Sequence, residues 1–151
     1  MKNLICALSL SLVAAACGSD SFEISEQTLQ GEVGGQPWTF VAGDTSAFLS
    51  DEETFFAALY AEDFEACGFS QPSGNSLIIS IPTAPGDYEL SLQRNMTFVV
   101  ETGSGPDNLI ATEGRIVVDE VTATTVTGGI HARYDGDNEI DGTFTVEICP
   151  E

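Results

Sequence analysis

The chain has 151 residues, the usual length of a single domain. Its 24 Asp and Glu residues outnumber its 4 Lys and Arg residues, which gives a formal net charge of −20. This charge argues against binding of the polypeptide to nucleic acid or to an anionic membrane surface, because the long-range field repels phosphates. A hydrophobic content of 42% argues against disorder, so the composition predicts one globular domain.

The first predicted element is an export signal. Residues 1–3 form a short basic start, and residues 4–16 form an apolar stretch interrupted by only two serines. A stretch of 13 residues is too short to span the bilayer core, which takes about 20 residues in a helix. We therefore expect residues 1–16 to be a signal peptide that is removed.

The end of this segment resembles the lipobox of bacterial lipoproteins. Its sequence is Val-Ala-Ala-Ala-Cys-Gly over residues 13–18, with small residues before Cys17. In that family the cysteine thiol receives a diacylglycerol, cleavage precedes the cysteine, and its amine is then acylated. The resemblance implies that Cys17 is lipidated, although Ala14 stands where the family more often has Leu. An ordinary secretory signal cleaved near Ala16 is the alternative.

Lipidation would fix the location of the protein. Two or three acyl chains on Cys17 anchor a protein in a membrane effectively permanently. Gly18 is not the Asp that retains enteric lipoproteins in the inner membrane, so the resemblance implies the outer membrane. Residues 17–28 are polar and are predicted to tether a single domain, residues 29–151, to that membrane.

The domain is predicted to be all-β. Turn signals recur every 8–15 residues between β-rich runs, which is typical of an antiparallel β-sandwich of nine or ten strands, or of a small β-barrel. We expect a monomer. The candidate strands are 29–33, 38–42, 77–81, 88–92, 97–101, 109–112, 115–121, 125–134 and 140–148.

The segment 51–64 fits two structures. Ser50 and Glu53 have the spacing of a capping box, which would begin a short helix. Read with a period of two, residues 55–60 are apolar on both faces, which suits a strand covered on both sides. We favour the strand because every neighbouring segment is β and the aromatic content is high.

The lipobox resemblance leaves two of the four cysteines in the predicted domain. Cys6 lies in the discarded segment and Cys17 carries lipid, which leaves Cys67 and Cys149. Export would bring this pair into an oxidising compartment, where we expect a disulfide bond. A reactive thiol or a metal-binding pair is the alternative.

The last two strands are predicted to form a hairpin. Aligning their apolar faces sets Ile130 opposite Phe144 and Arg133 opposite Asp141. The hairpin turn is strongly acidic, and Asp135, Asp137, Glu139 and Asp141 could offer oxygen ligands to Ca²⁺. The alternative is a plain turn, because Gly, Asp and Asn are the residues that tight hairpins require.

The body of the chain also resembles β-sandwich lipoproteins of Gram-negative bacteria. The resemblance rests on Gly-Gln-Pro-Trp at 35–38, Val-Thr-Gly-Gly at 126–129, Gly-Thr-Phe-Thr-Val at 142–146, and Cys149. It implies the fold but no activity.

Three function classes stay open. A structural or interaction module is favoured, a small-molecule or glycan binder is second, and a secreted hydrolase is third. A hydrolase would have to use His131, the one histidine of the chain, and no serine lies in a GxSxG nucleophile elbow. We therefore expect a non-catalytic protein with no cofactor, apart from the Ca²⁺ alternative.

Overall fold

The computed structural model describes residues 23–150. All secondary-structure elements in that range are β-strands. Eleven strands form one mostly antiparallel sheet that curls into a half-barrel. The all-β prediction is therefore confirmed, with a curled sheet that combines sandwich and barrel character. The expected signal peptide and Cys17 lie outside the described residues.

The strand bounds are β1 Gln30–Val33, β2 Gln36–Thr39, β3 Ala42–Thr45, β4 Thr54–Tyr60, β5 Ser76–Pro82, β6 Gly86–Glu89, β7 Met96–Thr102, β8 Gly105–Ile110, β9 Glu113–Val121, β10 Thr125–Asp135 and β11 Asn138–Glu147.

Strand β11 organises the sheet. The strand order is β6-β9-β10-β11-β3-β4-β5-β7-β8, while β1 pairs with both β11 and β2. β10 runs antiparallel along most of β11, β1 pairs with its beginning, and β3 meets its end in a parallel contact of Asp44 with Glu147. The last strand of the chain thus joins its first strands to the β9–β10 hairpin.

The core follows from the period-two pattern of the strands. In β5, Leu77, Ile79 and Ile81 point inward and are at most 1% exposed, while the residues between them face outward. Trp38 is also in the core, 4% exposed. Other large core residues are Leu29, Val33, Leu59, Met96, Phe98, Ile116, Val118, Val126, Ile130, Ile140, Phe144 and Val146.

The predicted strand 38–42 is two strands in the structure. β2 pairs with β1, and β3 pairs with β4. At the break, the Phe40 N–H donates to Leu29 O and the Val41 N–H donates to Tyr60 O, so the chain changes partners between adjacent residues. An apolar run carries no mark of such a change, which is why the sequence suggested one strand.

The ambiguous segment 51–64 contains a strand, β4, and no helix. The potential capping box does not begin a helix. Instead, the Ser50 hydroxyl donates to Ser46 O and accepts the Phe56 N–H, which closes the turn between β3 and β4.

The register of the β10–β11 hairpin differs from the prediction by two residues. Ile130 lies opposite Gly142 rather than Phe144, and Arg133 lies opposite Glu139 rather than Asp141. A shift of two keeps every side chain on the same face, so the face pattern could not detect it. The turn decides the register, because Asp135 Oδ1 accepts both the Asp137 N–H and the Asn138 side-chain amide.

Part of the predicted tether belongs to the folded domain. Gln27 O accepts the backbone N–H and the hydroxyl of Thr143, and Thr28 forms a bridge with the same residue. The Ser25 N–H contacts the carboxylate of Asp141 at 3.3 Å. The contacts with β11 therefore begin near residue 25 rather than 29.

Asn75 connects three parts of the half-barrel. Its side-chain amide donates to Val33 O at 2.7 Å, and its side-chain oxygen accepts the Glu101 N–H at 2.9 Å. Its backbone carbonyl accepts the indole N–H of Trp38 at 3.0 Å. One residue before β5 thus ties the β1–β2 hairpin to β7.

We expect Asn75→Ala to lower the free energy of unfolding by about 2 kcal/mol, because it removes the side-chain partners of the part-buried Val33 carbonyl and of the exposed Glu101 N–H. Urea unfolding followed by circular dichroism measures this change. Asn108→Ala is the matched control, since Asn108 is exposed on edge strand β8, and it should change stability by less than about 0.5 kcal/mol. Equal losses in the two variants would contradict the role assigned to Asn75.

Candidate functional site

A cleft of about 560 Å³ lies on the outer face of β3, β4, β5 and β7. Because side chains alternate along a strand, Phe56, Ala58 and Tyr60 of β4 point away from the core and form its floor. Ile78 of β5 and Val99 of β7 extend this floor. The segment predicted from the sequence as a strand apolar on both faces is therefore the strand at the base of the cleft.

Two loops wall the cleft. The first, residues 46–53, connects β3 to β4, and the second, residues 61–75, connects β4 to β5. The second loop is called the disulfide loop below, because its Cys67 is bonded to Cys149 after the end of β11. The predicted pairing is thus present, with a Cα–Cα distance of 5.4 Å.

Strand β3 holds both ends of this bond. The Cys67 N–H donates to Asp44 Oδ2 at 2.6 Å, and the Cys149 N–H donates to Thr45 Oγ1 at 2.9 Å. Cys67 has a φ of 60°, the left-handed region that side chains other than glycine rarely adopt. The Asp44 contact satisfies the N–H that this conformation turns toward the sheet.

Asp44 is a carboxylate near the base of the cleft with very little contact with water. The residue is 7% exposed, and its Oδ2 lies 3.8 Å from Cys149 Sγ. No Lys, Arg or His among residues 23–150 forms a salt bridge with it. Burial raises the pKa of the neighbouring Tyr60 hydroxyl, and the negative charge of Asp44 raises it further.

The positively charged side chains of the described residues contact groups outside the cleft. Only three arginines and no lysine occur between residues 23 and 150, and none of the three lines the cleft. Their contacts are Arg94 with the ring of Tyr88, Arg115 with Asp87, and Arg133 with Glu113 and Glu139. The charged residues lining the cleft, Asp44 and Glu101, are both acidic.

Each wall of the cleft carries an exposed aromatic residue. Phe48 in the first loop is 93% exposed, and Phe69, two residues after Cys67, is fully exposed. Leu49, which lines the cleft itself, is 54% exposed. Neither phenylalanine lines the cleft itself, but each is adjacent in the sequence to a residue that does. Single exposed apolar residues are ordinary, whereas exposed aromatic residues on both loops beside one cleft are candidates for a contact surface.

The acidic residues predicted to bind Ca²⁺ contact different partners. Asp135 caps the hairpin turn, Glu139 lies 3.5 Å from Arg133, and Asp141 accepts the Ser25 N–H. Asp137 contributes its backbone carbonyl to the Gly35 N–H. These four carboxylates are not among the ligand groups that converge within 4.8 Å in residues 23–150, and Ca²⁺ binding by this turn stays a prediction.

Within residues 23–150, one set of side chains of the types that bind metals comes together. It consists of Asp44, Cys67 and Cys149, whose potential ligand atoms all lie within 4.8 Å of one another. Metals bind the thiolate form of cysteine. With both sulfurs in the disulfide bond, this group offers a metal one carboxylate only.

His131 lies on the outer face of β10 rather than in the cleft. Its Nδ1 is 3.7 Å from Asp141 Oδ1, and its side chain is 14% exposed. The hydroxyl of the nearby Ser25 is buried without a hydrogen-bond partner in the described part of the chain. A nucleophile must be reachable by substrate, and in this conformation the Ser25 hydroxyl is closed to solvent.

The sequence located the disulfide but not the cleft. The aromatic residues Trp38, Phe98 and Phe144 do not line the cleft, since they are core residues that are at most 4% exposed. The available signal was the two-sided apolar pattern of β4, since an outward apolar face needs a partner. What no pattern could show is that both loops flanking β4 fold over that face.

No model of a known protein family, no curated protein and no solved structure matches this chain. Within residues 23–150, no helix has the length and apolar character needed to cross a bilayer.

Proposed function

We propose that the protein is a lipoprotein of the outer membrane, anchored through lipid on Cys17, that binds a partner protein in the cleft without catalysing a reaction. The observation that carries the proposal is the pair of exposed phenylalanines, Phe48 and Phe69, on the two loops that wall the cleft.

Burial of these two side chains would supply binding energy. Removing one phenylalanine from water is worth about 1.5–3 kcal/mol, and aromatic anchors at the centre of a contact surface dominate many interfaces. The cleft floor adds Phe56 and Ile78, which are only partly buried, and Tyr60, which is 7% exposed. The disulfide stabilises this surface before binding, which reduces the entropy that a partner must overcome.

The proposed anchor keeps the domain close to the membrane. Ile24 lies against Gly129 of β10 and Ser25 contacts β11, so six residues, 18–23, separate Cys17 from the folded domain. Even fully extended, they reach about 25 Å. A partner would therefore meet the cleft near the membrane surface.

The edges of the sheet are less suitable for a partner. The edge strands are β6 and β8 at the two ends of the strand order, and β2 at the end of the branch through β1. β8 contains Pro106 and Asp107, β2 contains Pro37, and β6 contains Asp87 and Glu89. Proline removes a ladder donor and charge discourages edge pairing, so each of these edges is disfavoured for strand addition. The cleft is the better docking surface.

A small-molecule binder is the second candidate, because the cleft volume falls in the range of ligand sites, about 300–1,000 Å³. A glycan platform built on Trp38 is disfavoured, since that side chain is in the core.

We expect a clickable fatty acid fed to cells to label the wild-type protein and not Cys17→Ser, because the thiol is the proposed acceptor. In-gel fluorescence of the purified protein measures the label. Cys6→Ser is the matched control and should keep full labelling. Equal labelling of wild type and Cys17→Ser would refute anchoring at this residue.

We expect a photo-crosslinking amino acid at position 48 or 69 to join the same partner protein in intact cells, because each position is adjacent in the sequence to a residue that lines the cleft. Mass spectrometry of the products identifies the partner. Leu92 is the matched control position, since it is 87% exposed but lies in the β6–β7 turn, away from the cleft. Identical products from all three positions, or none from 48 and 69, would contradict a binding role for the cleft.

A further inference from the structure

We infer that the occupant of the cleft is an apolar segment of a partner protein that presents a lysine or arginine side chain to Asp44. This inference rests on the proposed function and adds the chemistry of the ligand. It starts from a carboxylate that has lost most of its water without gaining a cation.

Asp44 has unused hydrogen-bonding capacity. Its Oδ2 accepts the Cys67 N–H, and its Oδ1, which is not among the buried atoms without a partner, keeps some accessible surface where the residue lines the cleft. Removing an ionised carboxylate from water is unfavourable unless a cation or several donors replace the water. A positive group entering the cleft would replace the water that still reaches Oδ1 and form a charge-assisted hydrogen bond there.

The neighbours of Asp44 suit a long cationic side chain. In the β3–β4 pairing, Asp44 lies directly opposite Ala58, and Phe56 and Tyr60 are its diagonal neighbours on the same face. The small alanine leaves space beside the carboxylate, and the two rings flank it. An ammonium or guanidinium group near aromatic rings gains additional attraction.

The remaining cleft fits the apolar part of such a segment. Ile78 and Val99 can contact the methylene stem of lysine, and Leu49, Phe48 and Phe69 can contact its apolar neighbours. Glu101 adds a second negative charge at the rim. A chain with net charge −20 also attracts cationic partners at long range, an effect that salt weakens.

The test compares two peptide probes that differ in one charge. Acetyl-Phe-Lys-Phe-amide presents the cation, and the same peptide acetylated at the lysine Nε keeps the stem and loses the charge. Each is titrated into disulfide-bonded, full-length ¹⁵N-labelled protein in a non-ionic detergent, and the backbone amide shifts are followed by NMR. We expect the lysine peptide to shift amides of β3, β4 and the disulfide loop, with a Kd about tenfold lower than that of its acetylated form.

Two variants assign the effect to Asp44. Asp44→Asn keeps an acceptor for the Cys67 N–H and removes the charge, so it should bind both peptides equally. The matched control Asp107→Asn removes one charge from exposed β8 and should keep the tenfold difference. If Asp44→Asn fails to fold, Ala58→Leu keeps every charge and fills the space beside the carboxylate, and it should abolish the preference.

The outcomes separate the inference from the proposed function. Equal binding of both peptides in the cleft would overturn the lysine or arginine assignment while leaving the cleft as a binding site. Lysine-dependent shifts spread over the acidic β10–β11 turn instead of the cleft would also overturn it, as would a difference that survives Asp44→Asn. The proposed function is decided independently by the cross-links from positions 48 and 69.

Discussion

The bond between Cys67 and Cys149 is the constraint on which the candidate site depends. It joins the middle of a 15-residue loop, 61–75, to the end of the last strand, across a sequence separation of 82 residues. Closing a loop of that size can stabilise a fold by up to about 4.5 kcal/mol through lost entropy of the unfolded chain. Asp44 and Thr45 hold the two cysteine backbones, so the bond also fixes the loop against β3.

This anchorage explains why a small domain can keep a half-buried surface on the outside of its sheet. The inner face carries the core, and β4 contributes Ala57 and Leu59 to it. Its outer residues Phe56 and Tyr60 would lie open to water if the flanking loops did not wall them in. Tyr60 also packs edge-on against Phe64 of the disulfide loop, with ring centroids 5.0 Å apart. The loop thus covers the surface partially and leaves a cleft.

Local sequence patterns predicted the strands well because they depend on neighbouring residues. Strands β5, β7, β9 and β10 lie within a few residues of the predicted ranges, since the alternation of apolar residues and the glycine-rich turns mark them directly. The division of 38–42 into two strands was missed because it depends on which strand each half pairs with. The hairpin register was missed because two registers place the same side chains inward, and only the turn around Asp135 separates them.

The candidate site was predictable only in part. The pairing of Cys67 with Cys149 could be predicted because the lipobox resemblance accounts for the other two cysteines. Strand β4 could be predicted because its residues are apolar on both faces when read with a period of two. The position of Asp44 was not, because one acidic residue among 24 carries no sign of burial. Its environment arises from the Cys67 backbone, 23 residues away, and from Cys149, 105 residues away. Such juxtapositions belong to tertiary structure, as does the proximity of the loops bearing Phe48 and Phe69.

The most direct test of this central constraint is hydrogen exchange of the protein with its disulfide intact and after reduction with a phosphine. At exchange times short enough for β5 and β11 to stay protected in both forms, we expect amides of residues 61–75 to exchange at least about tenfold faster after reduction, and reoxidation to restore their protection. Exchange of this loop at the same rate in both forms would show that the bond does not hold the wall of the cleft.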